Sequence, residues 1–337
     1  MKKNYRRIPM PVRYLINTVL LVLFLVAGNA AIQGGMVNRT TNNLLLQIGV
    51  YIIMAVSLNI ATGYLGQLPL GHAGFMAVGA YVGALFWKGM VNTLPGGANM
   101  IVGILLGGLA AGVVGLLIGI PALRLKGDYL AILTLGFGEI IRIVIINLAQ
   151  FTGGTAGLKN IPRYSNFTVV YIFVILTCFF IHTMMKSRHG RAILSIRENE
   201  IAAESCGINT TYYKVMAFAA SALFAGIAGA LVAGIQGSLF PAAFGFMDSI
   251  NVLVMVVLGG MGSMLGSVVA ATVLTALPAL MQFLSNYRMI IYALLLVVVM
   301  IFKPSGLFGT YDFSLSHVLE KVLNIGYGKE KKEAEGQ

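Results

Sequence analysis

Stretches of about 20 apolar residues, nearly free of charge, recur along the whole chain and decide what it can fold into. A helix of that length crosses the ~30 Å hydrocarbon core of a bilayer. Residues 43–62 carry no charged side chain, and comparable runs occupy 12–33, 68–87, 99–121, 129–150, 167–186 and 213–236. Only 10% of the 337 residues are charged, and mean hydropathy is +0.87. A soluble domain carries about 25% charged residues because it must present a solvated surface. The exterior of this chain must face lipid. The expected fold class is all-α, a polytopic bundle of transmembrane helices.

Two apolar regions remain, 250–283 and 288–303. As one helix the first, roughly 34 residues, would reach about 51 Å, too long for a single crossing. It contains Gly259-Gly260-Met261-Gly262-Ser263, a break that would divide it into two short crossings. Charge then sets the parity. Lys2, Lys3, Arg6, Arg7 and Arg13 hold the start inside, and Lys303, Lys321, Lys329, Lys331 and Lys332 hold the end inside. Arg124, Lys126, Lys186, Arg188, Arg191 and Arg197 fall on that same side if each run crosses once. Both ends inside needs an even number of crossings, about ten, with eight plus re-entrant pieces as the alternative. The expected organisation is a cytoplasmic tail 1–12, a membrane domain 13–310 with a cytoplasmic loop 187–211, and a cytoplasmic tail 311–337.

The net charge of +12 sits in short clusters between apolar runs, which is membrane topology rather than a nucleic-acid footprint. Cys178 and Cys206 have neither disulfide nor metal-ligand spacing, so no cofactor is expected. The lone Trp87 falls where a span should end, as interfacial aromatics do. The basic start and the following apolar run resemble a signal peptide. Ahead of so many further spans, they are expected to remain an uncleaved first helix.

Small residues recur every fourth position in two of the runs: Gly103, Gly107, Ala111, Gly115 and Gly119, then Ala222, Gly226, Ala230 and Gly234. Ser221, Ala225, Gly229, Ala233 and Gly237 form a further row. Such stripes let helix backbones approach closely where lipid offers no hydrophobic drive for association. Tight packing, not substrate contact, is the expected role.

Three motifs carry more. Gly63-Tyr-Leu-Gly-Gln-Leu-Pro-Leu-Gly-His-Ala-Gly-Phe75 interrupts an apolar run with Pro69 and several glycines. Backbone freed in this way is tolerated at membrane depth only where protein or a water-filled cavity satisfies it. A similar element, Ser238 to Asp248, lies half a chain later, with Gly74-Phe75-Met76 returning as Gly245-Phe246-Met247. Paired interruptions in two halves point to a transport pathway. Gln67, His72, Phe75, Phe246 and Asp248 are candidate pathway or structural polar positions within them. His72 reads first as a satisfied packing histidine.

Glu139 and Arg142 stand midway along a span, three residues apart and so on one helix face. Charges there are expensive, roughly 3 kcal/mol each, so a mutual or interhelical ion pair that locks the bundle is expected, with a pathway role as the alternative. The hydrophilic stretch 186–209 mixes Arg191, Arg197, Glu198, Glu200 and Glu204, and has Ala202-Ala203 followed by Gly207. It reads as a short helix and stop, either a solvated loop or a docking helix for a soluble partner. The arginines are expected to bond the partner or these glutamates. There is no GxxxxGK[ST] loop and no catalytic signature, so the chain is not expected to hydrolyse ATP itself.

The segments GYLGQLPLGHAGFMAVGAY (63–81), RLKGDYLAILTLGFGEIIRI (124–143), TGGTAGL (152–158), GRAILSIRENEIAAESCGIN (190–209), FGFMDSINVLVMVVLGGMGSMLG (244–266) and FKPSGLFG (302–309) resemble the LivM-type permeases of branched-chain amino-acid ABC importers. The resemblance implies a type II-like importer core in the plasma membrane. Its partners would be a second related permease, two cytoplasmic ATPases and an extracytoplasmic substrate-binding protein, with leucine, isoleucine and valine as substrates. It also implies that 190–209 is the coupling loop to the ATPase, with Arg191, Arg197, Glu198, Glu200, Ala202, Ala203, Glu204 and Gly207 as its contact residues. Here the family's Glu-Ala-Ala is loosened to Glu200-Ile-Ala-Ala. Relatives for urea, amides or other amino acids look similar. A stand-alone channel or secondary transporter would need coupling groups, for which Glu139 is the one strong candidate. An intramembrane enzyme would need a convergent acid, base or nucleophile set that His72, Glu139 and Arg142 do not make.

Overall fold

The chain divides into two units, residues 39–310 and residues 1–38 with 311–337. The computed structural model describes residues 23, 25–32, 34, 35, 37–91, 93, 95–125, 127–280, 297, 301 and 306. The expected spans 12–33 and 288–303 and both tails lie wholly or largely outside the described residues.

Within the unit 39–310 all the regular elements described are helical. Helix α1 (Arg39–Asn59) runs on into a π turn, Ile60–Tyr64. The chain then leaves helical geometry through Gly66, at φ +77°, and Pro69, which lacks an amide donor and disfavours helix at the residue before it. Helix α2 (His72–Gly89) therefore starts four residues later than the apolar run 68–87 does. Helices α3 (Gly96–Ala122), α4 (Asp128–Asn147) and α5 (Phe167–Lys186) follow the next three apolar runs closely.

Between α4 and α5 the TGGTAGL segment turns at Gly153, Gly154 and Gly157, all at positive φ. It ends in an antiparallel bridge, where Leu158 and Leu239 exchange backbone hydrogen bonds of 2.9 and 2.8 Å. The stretch expected as a loop at 187–211 is mostly helix: α6 (Arg188–Glu198) and α7 (Glu200–Ser205), followed by α8 (Thr210–Gln236). Each start is capped by the side chain of the residue before it. Ser187 accepts from the Gly190 amide, Asn199 from Ala202 and Asn209 from Tyr212. After a 3₁₀ turn at Pro241–Phe244 come α9 (Phe246–Gly259) and α10 (Met264–Leu280). The apolar region 250–283 is thus divided at Gly260–Ser263, with Gly260 and Gly262 at positive φ.

Among the described residues, five helices are long and apolar enough to cross a membrane by length and composition: the combined α1 and π turn, α3, α4, α5 and α8. The core is the seam where α8 packs against α3 and α2. The small-residue stripes meet there. A side-chain carbon at Gly226 would strike Ala111 and the Gly107 carbonyl, one at Gly107 would meet the Gly79 backbone, and one at Gly229 would strike the Met76 carbonyl. Close approach of this kind wins dispersion contacts along the whole seam. Trp87 lies in the last turn of α2. It is 0% exposed, packed over Gly103, with its indole N–H donating to the Asn99 carbonyl at 3.0 Å, so its ring is spent inside the bundle.

Candidate functional site

The two interrupted segments come together. Leu70, Gly71 and Gly74 from the first, and Phe244, Gly245, Phe246 and Ser249 from the second, line one cleft with Leu135, Gly138 and Glu139 of α4. It is shallow and partly open, with a volume of about 10 Å³ in this conformation, room for about one water molecule. Glycine makes the approach possible, because a side-chain carbon at Gly71 would strike the Thr134 carbonyl, and one at Gly74 would lie 2.9 Å from the Gly138 Cα. Cross-bonds fix the register. The Leu70 amide donates to Thr134 Oγ1 and the Ala73 amide to Ser249 Oγ, both at 3.0 Å. Helices α2 and α9 begin at Gly71 and Gly245 without side-chain caps, so two amide-bearing helix starts border the cleft.

Glu139 faces this space. Arg142 Nε donates to Glu139 Oε2 at 2.7 Å, and both side chains are 30% exposed. This ion pair lies within one helix. The Tyr51 hydroxyl donates to Asp248 Oδ1 at 3.0 Å, tying α1 to the first turn of α9. Phe246 is exposed at the cleft.

The remaining candidates of the first segment lie elsewhere. His72 is 2% exposed, with Nε2 3.0 Å from Ser57 Oγ. Phe75 is buried edge-on against Phe218, at 5.5 Å between ring centroids, and is not among the residues lining the cleft. Gln67 is half-buried beyond the π turn, its amide donating to the Ala61 carbonyl, and is not among the residues lining the cleft.

A second site lies at α6 and α7. Arg197 Nη1 donates to the Gly63 carbonyl at 2.6 Å, and Arg191 reaches the Lys186 carbonyl at 3.4 Å. The expected acceptors Glu198, Glu200 and Glu204 are not the partners of these arginines. Glu200 instead accepts from Lys214 of α8 at 2.7 Å. Ala203, expected in a partner's groove, is buried in this chain, whereas Ala202 beside it is exposed. Gly207, at φ +83°, ends α7, its amide donating to the Glu204 carbonyl. The residue that sequence reasoning passed over is Ile201, an aliphatic side chain left 75% exposed among charged neighbours. Thr134, Ser249 and Asn59 were missed as well, because a buried hydroxyl or amide shows no pattern before its partner is known. Among the described residues no group of three or more His, Cys, Asp or Glu side chains is placed to hold a metal ion.

Comparison with known proteins gives a consistent picture. Residues 40–300 match the family described as branched-chain amino acid transport system / permease component. The chain is 38% identical over 310 residues to the high-affinity branched-chain amino acid transport system permease protein LivM of Salmonella typhimurium, covering 81% of this chain and 71% of that protein. It is 38% identical over 331 residues to the protein of the same description from Escherichia coli, covering 86% and 76%. LivH, a permease protein of the Escherichia coli system, is 24% identical over 290 residues, covering 77% and 91%. No solved structure matches the chain.

Proposed function

The chain belongs to the family of permease components of branched-chain amino acid transport systems, and from that premise we propose that it forms the membrane pathway for leucine, isoleucine or valine in an ATP-driven importer. The observation that carries this reading is the cleft where the two interrupted segments meet Glu139. In this conformation it has room for about one water molecule, so an amino acid enters only when the two segments part, and the chemistry of the lining then suits a zwitterion. The helix starts at Gly71 and Gly245 offer a partial positive charge to a carboxylate. The Glu139 carboxylate offers an acceptor to an ammonium group, and Leu70, Leu135, Phe244 and Phe246 offer apolar surface to a branched side chain.

The partners of such a pathway are a second related permease, two cytoplasmic ATPases and an extracytoplasmic binding protein. The likeness to both LivM and LivH supports two permeases of one ancestry. Helices α6 and α7 are the docking element for an ATPase. They are polar, carry basic residues on the side that the charge distribution assigns to the cytoplasm, and present Ile201. Both termini share that side. Accessibility labelling of a cysteine at residue 330 is expected to report the inside, and labelling from outside would overturn the orientation.

The test of function is uptake by the reconstituted complex against a panel of amino acids, urea and amides. Uptake of leucine, isoleucine and valine that depends on ATP is expected. ATP-dependent uptake of only urea or amides would keep the machinery and overturn the substrate. Leucine uptake by this chain without any ATPase would overturn the ATP-driven reading.

A further inference from the structure

We propose that Arg197 is a positioning residue that ties the ATPase-docking helix to the first interrupted segment and to the turn at the far end of α9, the helix that begins in the second, so that movement of α6 is passed to the cleft. The inference rests on the proposed reading of the chain as an ATP-driven permease and assigns the transmission step within it.

Arg197 stands in the last turn of α6 and reaches out of the docking element into the bundle. Its Nη1 donates to the Gly63 carbonyl at 2.6 Å, a short charge-assisted bond to the π turn that ends α1. Two glycines, Gly66 and Gly262, make room for it, and a third, Gly63, makes room for the neighbouring Asn59 and Gly262. A side-chain carbon at Gly66 would lie 3.2 Å from Arg197 Cγ, and one at Gly262 would lie 2.9 Å from Nη1. One at Gly63 would collide with Asn59 Oδ1 and the Gly262 amide. The guanidinium is therefore set between the break after α1 and the turn joining α9 to α10.

These two segments are already stitched to each other. Asn59 Nδ2 donates to the Ser263 carbonyl at 3.0 Å, and the Gly262 amide donates to Asn59 Oδ1 at 2.9 Å. From this node one path leads through residues 65–71 to the start of α2, and the other climbs α9 from Gly259 to Phe246. Both paths end in the lining of the cleft. A displacement of α6 cannot leave Gly63 and Gly262 in place without breaking the arginine bond and reopening the space around it. The node thus supplies a physical contact between the docking helix and the first cleft-forming segment, and reaches the second through α9, which is the kind of link a coupling free energy between two sites requires. Lysine would keep the charge but not the planar guanidinium that donates to the Gly63 carbonyl while lying beside Gly262.

The experiment uses the complete complex in liposomes and reads leucine taken up per ATP hydrolysed, for wild type, Arg197→Ala and Arg197→Lys. Arg197→Ala is expected to retain its ATPases and hydrolyse ATP within about twofold of wild type while uptake per ATP falls about tenfold, the scale of a typical intersite coupling. Arg197→Lys is expected to recover part of that ratio. An unchanged ratio in Arg197→Ala would overturn the inference. So would parallel loss of assembly, hydrolysis and uptake in both variants, which would make the residue merely structural. A wild-type complex that hydrolyses ATP without moving any branched-chain amino acid would instead overturn the functional reading on which the inference rests.

Discussion

The ammonium of Lys214 donates to Glu200 across 2.7 Å and pins the short helix α7 to the base of α8. The lysine side chain is only 4% exposed and the glutamate 27%. Removing the carboxylate leaves a desolvated cation short of a partner, a loss of about 1–3 kcal/mol where one member of the pair is still partly solvated. Glu200→Gln is expected to loosen α7 and reduce co-purification of the ATPase. The exchanged pair Glu200→Lys with Lys214→Glu is expected to regain part of it. Equal ATPase retention in wild type and Glu200→Gln would show that the pair does not hold the docking element.

Ile201 gives a sharper probe of docking, because it is exposed in this chain and its replacement costs no buried contact here. Ile201→Asp is expected to leave the permease as stable as wild type in detergent, yet to lower ATPase retention at least about tenfold, the effect of an interface anchor worth about 1.4 kcal/mol or more. Ala203→Glu, by contrast, places a charge in a buried position and is expected to lower the melting temperature of the isolated permease. If Ile201→Asp binds the ATPase normally, the docking surface lies elsewhere on the chain.

Glu139 can be separated from bundle assembly. Its bond to Arg142 joins two turns of one helix and leaves both groups 30% exposed, so Glu139→Gln is expected to assemble at normal yield. Leucine uptake is expected to fall about tenfold through loss of one charge-assisted contact to the substrate. A drop in yield as large as the drop in uptake would return the residue to the locking role read from sequence.

The seam offers a stability test with an internal control. A side-chain carbon at Gly229 would strike the Met76 carbonyl and lie 2.9 Å from the Ala80 amide nitrogen, whereas one at Gly136 meets nothing within 4 Å. Gly229→Ala is expected to cost at least the ~1–3 kcal/mol of an overpacked core and to lower the thermal midpoint of the purified permease. Gly136→Ala is expected to be neutral or to gain up to about 1 kcal/mol from helix propensity. Equal midpoints would mean that the seam relaxes freely.

The membrane helices were legible because their signal is local. Run length alone placed α5 at Phe167–Lys186, and the glycines at 259–262 announced the division between α9 and α10. The pairing of the interrupted segments was legible too, since Pro69 and Pro241 punctuate similar strings. What escaped depends on distant partners. Nothing near Trp87 tells that Asn99 will accept its N–H, and nothing near Arg197 tells that Gly63 will be its acceptor instead of Glu198 or Glu204. Ala203 is small enough to suit a groove in a partner, but it fills one in its own chain. Ser187, Asn199 and Asn209 went unread as caps, because in so polar a stretch such residues do not distinguish a loop from consecutive short helices.

The joint of α2, α3 and α8 has a mechanical consequence. At Gly79, Gly107 and Gly226 its contacts are hydrogen- and methyl-sized, with backbone lying on backbone, so these crossings leave little slack. Interfaces packed in this way shift between discrete arrangements and do not flex. The three helices should therefore travel as one stiff block. Any stroke delivered to the protein must be absorbed where the winding is already broken, at residues 65–71 and 260–263, which makes those two short stretches the flexures of the machine and the seam its frame.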